Sequence, residues 1–108
     1  MDRIYDLFLV LGIHSTYLGS RYLHYAITLC LNNEDYLLCV CHLYDIVASN
    51  FGVRRYNVER CIRTAVTHCY DQGNREFLEQ IAKRPLDARP TNGEFIDIVC
   101  HYLKSVKG

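Results

Sequence analysis

Hydrophobic residues recur every three or four positions along most of this chain, the spacing that gathers them on one face of an α-helix. The pattern predicts a first helix over residues 4–11, which Gly12 ends. The polar segment His14–Thr16 offers residues that can cap a second helix, defined by apolar positions within 22–30. The asparagine pair 32–33 ends that helix and can begin the next, since asparagine favours caps and turns.

The same period continues through residues 36–43, and we expect a break near His42 or Leu43 to separate this third helix from the next. No segment of strand length alternates between polar and apolar residues. We therefore predict an all-α fold, a compact bundle of about six helices. The elements predicted toward the C-terminus are a short helix over 77–81 after Asn74, a loop over 84–93 that holds both prolines, and a last helix over 96–103 with Thr91 or Asn92 as N-cap.

The segment 44–70 has the pattern of a helix-turn-helix, in which a tight turn joins two helices and the second lies in the major groove of DNA. Gly52 is the expected turn residue. Ala48, four positions earlier, is small enough for the two helices to cross there. In this register the other core positions are also apolar: Val47, Phe51, Val53, Val58 and Cys61.

The second helix of this motif is predicted to be amphipathic. Its apolar stripe is Val58, Cys61, Ile62, Ala65, Val66 and Cys69, and its polar face is Glu59, Arg60, Arg63, Thr64 and Thr67. Arginine can bond guanine bidentately and glutamate can accept from cytosine, so Arg60 and Glu59 are candidate base readers. Arg54 and Arg55, at the helix start, can meet phosphates. The alternative for Glu59 and Arg63, four residues apart, is a solvated ion pair.

The charge of the chain is balanced, with twelve Lys and Arg against twelve Asp and Glu residues. DNA-binding domains usually carry a basic excess, because neutralisation of phosphates dominates their affinity. A neutral total predicts weak non-specific binding and places the burden of recognition on a few arginines. The length of 108 residues and the 50% hydrophobic content are those of one globular domain.

Other classes of function have little support in the sequence. The longest apolar run, 7–11, is far shorter than the roughly 20 residues of a membrane span, and no signal-peptide pattern is present, so we expect a cytoplasmic protein without membrane contact. The cysteines lack metal-ligand spacing, so we expect neither a metal nor another cofactor. The sequence has no nucleophile elbow, phosphate loop or metal-ligand helix, and its five histidines lack a common spacing, so no enzyme is predicted. Four cysteines occupy apolar positions and are expected to be reduced core thiols: Cys30, Cys61, Cys69 and Cys100.

Four segments of the chain carry a resemblance to a family of bacterial regulators. They are LGSRYLHYAI (18–27), VERCIRTAV (58–66), QGN (72–74) and RPTNGEFI (89–96). In this order they resemble the C-terminal DNA-binding effector domain of the master response regulator that initiates endospore formation. The resemblance implies a compact six-helix domain that binds double-stranded DNA at short promoter elements. It also implies tandem copies on DNA and contact with the sigma subunit of RNA polymerase.

By position, the resemblance implies that Glu59, Arg60 and Arg63 make the principal DNA contacts of the recognition helix. Thr64 stands where the family usually has a histidine that contacts phosphate. The small hydroxyl residues that precede this helix in the family are replaced by segment 53–56, so a Ser or Thr N-cap that contributes ~1 kcal/mol is absent. The DNA-binding residues predicted here are Arg54, Arg55, Tyr56, Asn57, Glu59, Arg60, Arg63 and Thr64.

The sequence thus predicts a single helix-turn-helix, effector-like domain over residues 1–108, without the phosphoacceptor receiver domain of full-length family members. The leading function is that of a sequence-specific, double-stranded DNA-binding transcription regulator. The alternative is a stand-alone protein-interaction module of the same fold that has lost DNA binding and acts on sigma factor or on a full-length homologue. The zero net charge favours the alternative, whereas the retention of Glu59, Arg60 and Arg63 favours the regulator.

Overall fold

Six α-helices and one 3₁₀ helix form the structure, a computed structural model that describes residues 2–14 and 17–106. No strand occurs among these residues. The predicted all-α class and the predicted number of helices are therefore confirmed. The elements are α1 (Arg3–Leu11), α2 (Leu18–Asn32), the 3₁₀ helix (Glu34–Leu38), α3 (Val40–Phe51), α4 (Arg55–Asp71), α5 (Arg75–Ala82) and α6 (Asn92–Ser105).

Helix α2 lies at the centre of the bundle and packs against α1, α3, α4 and α6. Its residues Leu23 and Ile27 are fully buried and belong to the same core as Phe8 of α1 and Phe95 of α6. The apolar stripes of the separate helices thus meet in one continuous core. Helix α4 packs mainly against α2 and α3 and also against α5 and α6, and these contacts together fix its position.

The first predicted helix and its end are confirmed. Asp2 caps α1 by accepting hydrogen bonds from two backbone N–H groups, and Gly12 ends the helix in the left-handed conformation, with φ +83°. The N-cap of α2 is Tyr17, beyond the predicted cap segment, and its side chain makes no capping bond. The predicted cap residues Ser15 and Thr16 lie outside the described residues.

The break between the third helical segment and the next lies at Cys39, so its predicted position near His42 or Leu43 is wrong. The 3₁₀ helix follows α2 directly, and the Asn33 side chain caps it by accepting a hydrogen bond from the backbone two residues on. Cys39 is extended, with φ −143° and ψ 90°. The first helix of the helix-turn-helix therefore starts earlier than predicted, at Val40. Because the apolar spacing runs across the break without interruption, the period alone does not locate it.

Helices α2 and α4 approach each other closely at Gly19. A Cβ atom at this position would lie 2.2 Å from the carbonyl oxygen of Cys61 and 3.0 Å from the Cβ atom of Ala65. A side chain larger than hydrogen does not fit between the two backbones. Glycine at this position therefore determines how closely α4 is seated against the core.

The predicted helix after Asn74 and the predicted cap of the last helix are confirmed. Asn74 caps α5 through its side chain, and Thr91, one of the two predicted candidates, is the N-cap of α6. Thr91 and Glu94 form a reciprocal capping box, in which each side chain accepts from the backbone N–H of the other residue. The other candidate, Asn92, is instead the first residue of α6 and is buried.

The predicted core thiols Cys30, Cys69 and Cys100 are buried, whereas Cys61 is half-buried, and all six cysteines are free. Burial raises the pKa of the Cys69 thiol to about 12. Among the described residues, no group of three or more His, Cys, Asp or Glu side chains could hold a metal ion. In the same part of the chain, no helix is long and apolar enough to cross a membrane.

Candidate nucleic-acid interface

Helices α3 and α4 are joined by a short turn, an arrangement consistent with the helix-turn-helix that the sequence predicts. Gly52 adopts the left-handed conformation, with φ +68°, and the N–H group of Val53 donates to the carbonyl oxygen of Ala48 at 3.0 Å. Val47, Ala48 and Val58 are buried at the predicted core positions. The turn glycine and these three core positions are therefore confirmed.

Phe51 does not occupy the interior position that the sequence predicts for it. Its side chain is 38% exposed. The ring packs edge-on against Tyr22 and Tyr25 of α2, with centroid distances of 5.0 and 5.8 Å. Phe51 is the last residue of α3, where the helix leaves the core, so one side of its ring is covered and the other faces solvent. Two further predicted core residues are half-buried: Val53 and Cys61.

The two faces of α4 are separated much as the sequence predicts. Its buried stripe is Val58, Ile62, Ala65, Val66 and Cys69. On the opposite face, three residues are exposed and two are half-buried: Arg60, Arg63, Thr64, Glu59 and Thr67. A helix with one face anchored in the core can present its other face to a ligand without itself moving.

The start of α4 carries two arginines in different situations. Arg54 is the N-cap, with an extended backbone and no side-chain capping bond, so the predicted loss of a capping side chain is confirmed. Arg55 is bound internally: its Nε and Nη2 atoms donate to the two carboxylate oxygens of Asp45 on α3, at 2.7 and 2.9 Å. This hydrogen bonding to Arg55 holds the pKa of the Asp45 carboxyl below its usual range.

The residue after Arg55 is Tyr56, and its ring supports a predicted base reader one turn further along α4. The Arg60 guanidinium lies 5.7 Å from the centroid of the Tyr56 ring, within cation–π range, and the Tyr56 side chain is 65% exposed. The Thr64 hydroxyl donates to the carbonyl oxygen of Arg60 at 3.0 Å. Asn57 is half-buried, and its backbone N–H donates to the carbonyl oxygen of Arg54.

Glu59 and Arg63 form the ion pair that was the alternative to base contact. The Arg63 Nη1 atom lies 3.4 Å from the Glu59 Oε2 atom. The backbone of Glu59 is tied to α6, because the Asn92 amide donates to its carbonyl oxygen at 3.2 Å and to the Tyr44 hydroxyl at 2.9 Å. Burial raises the pKa of Tyr44. Asn92 thus links α3, α4 and α6 directly behind the predicted contact residues.

Two shallow grooves flank the exposed face of α4. One, of about 350 Å³, lies between the row formed by Glu59 and Arg63 and the start of α6, where Arg89 contributes a further positive charge. The other, of about 380 Å³, lies between the row formed by Arg60 and Thr64 and the start of α2. The predicted contact residues therefore form a ridge with depressions on both sides.

Positive charge is concentrated on this part of the chain. Segment 54–63 holds four of the twelve basic residues and one of the twelve acidic residues. The rest of the chain consequently has eight basic and eleven acidic residues, a formal charge of −3. A neutral total thus coexists with a local basic surface, the electrostatic feature that phosphate binding requires.

Three residues beside the predicted contacts were not identified from the sequence as part of this surface. Asp45 binds Arg55, Asn92 supports Glu59, and Arg89 lines a groove beside Arg63. Each belongs to an element other than α4 and reaches the surface through tertiary packing. Arg89 and Asn92 carried a signal, because both lie in the RPTNGEFI segment on which the family resemblance rests, whereas Asp45 carried none.

Comparison with known families agrees with this architecture. Residues 4–103 match the family model described as sporulation initiation factor Spo0A C terminal. The matched span includes all of the helix-turn-helix and ends within α6. This family consists of DNA-binding effector domains of response regulators that control transcription in sporulation. The chain therefore belongs to the family of Spo0A C-terminal domains.

Proposed function

We propose that the domain binds double-stranded DNA sequence-specifically and regulates transcription, with α4 in the major groove. The observation that carries this proposal is the exposed face of α4, where Glu59, Arg60 and Arg63 stand together while the opposite stripe is anchored in the core. Such a helix can hold side chains against base edges. Membership of a DNA-binding family supports the general activity.

In this proposal Arg60 is the principal base reader. Its guanidinium is fully available for bidentate bonds to guanine O6 and N7, and the Tyr56 ring limits the orientations it can adopt. The exposed Arg63 and the half-buried Glu59 form a pair at 3.4 Å, and ion pairs in contact with solvent contribute only ~0–1 kcal/mol. The pair can therefore open, so that Arg63 meets a base or phosphate and Glu59 accepts from cytosine N4.

Residues at the start of α4, together with Thr64 near its middle, are proposed to contact phosphates. Arg54 and Thr64 are exposed, and Asn57 has an amide that can donate to a phosphate oxygen. The N-terminal end of an α-helix also favours anions, because its first backbone N–H groups are unpaired. Arg55 belongs to the same group of residues once it is released from Asp45.

The experiment begins with selection of bound sequences from random double-stranded DNA. Binding of the selected site and of a scrambled site is then followed by fluorescence anisotropy at two salt concentrations. We expect Arg60→Ala to reduce discrimination between the two sites by ~1–3 kcal/mol. Arg84→Ala, which removes an exposed arginine from the loop before α6, is the matched control and should leave discrimination unchanged. Equal affinity of the unaltered chain for both sites would contradict the proposal, as would a selection that enriches no sequence at micromolar protein.

A protein-interaction module of the same fold is the second candidate function. It is favoured by the balanced total charge and by the internal ion pairs of Arg55 and Arg63, which leave fewer cations free for phosphates. Such a module would act on sigma factor or on a full-length homologue. Calorimetric titration with purified sigma subunit, together with the absence of any DNA complex in the anisotropy experiment, would support this second function over the first.

Two partners in addition to DNA are proposed from family membership, namely a second copy of the chain in tandem on DNA and the sigma subunit of RNA polymerase. Native mass spectrometry of the chain with DNA that carries one or two selected sites tests the tandem arrangement. Two copies on the longer DNA with a higher affinity for the second copy would support it. Independent, equal binding of both copies would contradict cooperative tandem binding.

A further inference from the structure

Asp45 and Arg55 form the best-defined ion pair beside the proposed DNA-binding surface. Both nitrogens of one edge of the guanidinium engage both carboxylate oxygens, at 2.7 and 2.9 Å, which is the geometry that arginine also uses to bind phosphate. The two side chains are 54% and 48% exposed. The pair therefore lies in solvent at the start of α4, where an incoming phosphate can reach it.

The position of Asp45 separates its effect from base recognition. It belongs to α3, whereas Arg60 and Arg63 project from later turns of α4. No contact joins Asp45 to the Tyr56–Arg60 pair among the hydrogen bonds and ion pairs of the described residues. A carboxylate on Arg55 thus neutralises one cation at the helix start and leaves the base-reading side chains unaltered.

We propose that Asp45 is an intramolecular competitor of DNA phosphate for Arg55 and so lowers the affinity of the domain for all DNA sequences alike. This inference rests on the proposed function. An exposed ion pair is weak enough for a phosphate group to displace the carboxylate. Because phosphate contacts carry no sequence information, the competition changes affinity without changing discrimination. Asp45 then limits binding to non-target DNA, while Arg60 and Arg63 determine which sequence is preferred.

The test is the charge-neutralising, near-isosteric substitution Asp45→Asn in the whole chain. One added phosphate contact steepens the plot of log affinity against log salt by about 0.9. If the variant and the unaltered chain bind equally at 1 M salt, the variant binds DNA roughly eightfold more tightly at 0.1 M salt. We expect a gain of this order on both the selected and the scrambled DNA, with an unchanged ratio between them. Thermal unfolding of each variant verifies that the fold is retained.

Two further variants distinguish release of Arg55 from a general change of charge. Asp6→Asn makes the same charge change at an exposed site on α1, a helix that packs against α2 and α5, and should alter affinity less than about twofold. The double variant Asp45→Asn with Arg55→Gln has the same net charge as the unaltered chain. It should return the affinity to within about twofold of that chain, because the released guanidinium is gone.

Three results would overturn the inference. Equal gains from Asp45→Asn and Asp6→Asn would show that only net charge matters, and persistence of the gain in the double variant would show that Arg55 is not involved. Weaker DNA binding by Asp45→Asn would show that the carboxylate positions Arg55 for DNA instead of competing for it. Failure of the proposed function has a different signature, since the unaltered chain and every variant would then leave DNA unbound, which overturns both proposals.

Discussion

Gly19 lies in the first turn of α2 against the backbone of α4, and Gly19→Ala tests how α4 is packed against α2. The added Cβ would stand 2.2 Å from the Cys61 carbonyl oxygen, 2.9 Å from its carbonyl carbon and 3.0 Å from the Ala65 Cβ atom. Ordinary contacts of a Cβ atom begin near 3.4 Å. The helices must therefore separate by roughly 1 Å, because the nearest atoms belong to the backbone and cannot rotate away.

Two opposing effects determine how much Gly19→Ala changes the free energy of unfolding. Overpacking of a core costs typically about 1–3 kcal/mol, and a clash with rigid backbone belongs at the upper end of that range or above it. The better helix propensity of alanine returns at most ~1 kcal/mol. We expect a net loss of about 2–3 kcal/mol in the free energy of unfolding, which for a domain of this size lowers Tm by roughly 10–20 °C. Circular dichroism at 222 nm during urea and thermal unfolding measures both quantities.

Two control variants test whether the clash with the α4 backbone causes the loss of stability. Gly52→Ala meets no atom within 4 Å, so its cost, ~1–2 kcal/mol, comes only from the left-handed backbone. Ala65→Gly combined with Gly19→Ala removes the contact between the two Cβ atoms but leaves the Cys61 carbonyl oxygen in place, and should not restore stability. A Gly19→Ala protein as stable as the unaltered chain would refute the reasoning, since propensity would then outweigh packing at this crossing.

Three further predictions concern the caps and the thiols. Thr91→Ala should lower the free energy of unfolding by about 1 kcal/mol in urea titrations, and Thr91→Ser should not, because only the first removes the capping oxygen. Hydrogen bonding from the Thr91 backbone holds the pKa of Glu94 in the folded state below its usual range. The ionised carboxylate therefore stabilises the fold above the pKa of the unfolded state, about 4.3. This stabilisation is lost as the pH falls through the lower pKa of the folded state. The stability difference between the unaltered chain and Glu94→Gln should therefore shrink between about pH 5 and pH 2, and a constant difference would contradict this linkage. In the native protein, iodoacetamide at about pH 8 should label the exposed Cys39 and Cys41 but not the buried Cys69. Peptide mass spectrometry identifies the labelled residues, and labelling of Cys69 before unfolding would contradict its burial.

The helices could be predicted from the sequence because each packs one continuous apolar face on the core. The stripe of α4, from Val58 to Cys69, is an example in which five of six predicted positions are buried. The break at Cys39 could not be placed in this way, because Leu37, Val40 and Leu43 keep the helical spacing on both sides of it. Asn33, which caps the 3₁₀ helix, marks where this segment begins, as predicted, but not where it ends.

The candidate site was predictable to the extent that it lies on one helix. Helical spacing alone places Glu59, Arg60 and Arg63 on a common face, and the structure shows all three on the side of α4 that is not buried. The partner of Arg55 was not predictable, because Asp45 lies ten residues away on another helix and no short-range spacing relates them. The sequence specifies which groups α4 presents, whereas tertiary packing decides which of them are already neutralised.

The balanced total charge is therefore weak evidence against DNA binding. Segment 54–63 has four arginines and one glutamate, and the rest of the chain has a formal charge of −3. The positive charge of segment 54–63 favours an approach of DNA to this segment over the rest of the chain. Total charge governs non-specific accumulation on DNA, whereas the local arrangement governs recognition. Under the proposed function, a chain without a net surplus of cations retains sequence preference while its affinity for non-target DNA stays low, and the proposed competition of Asp45 for Arg55 acts in the same direction.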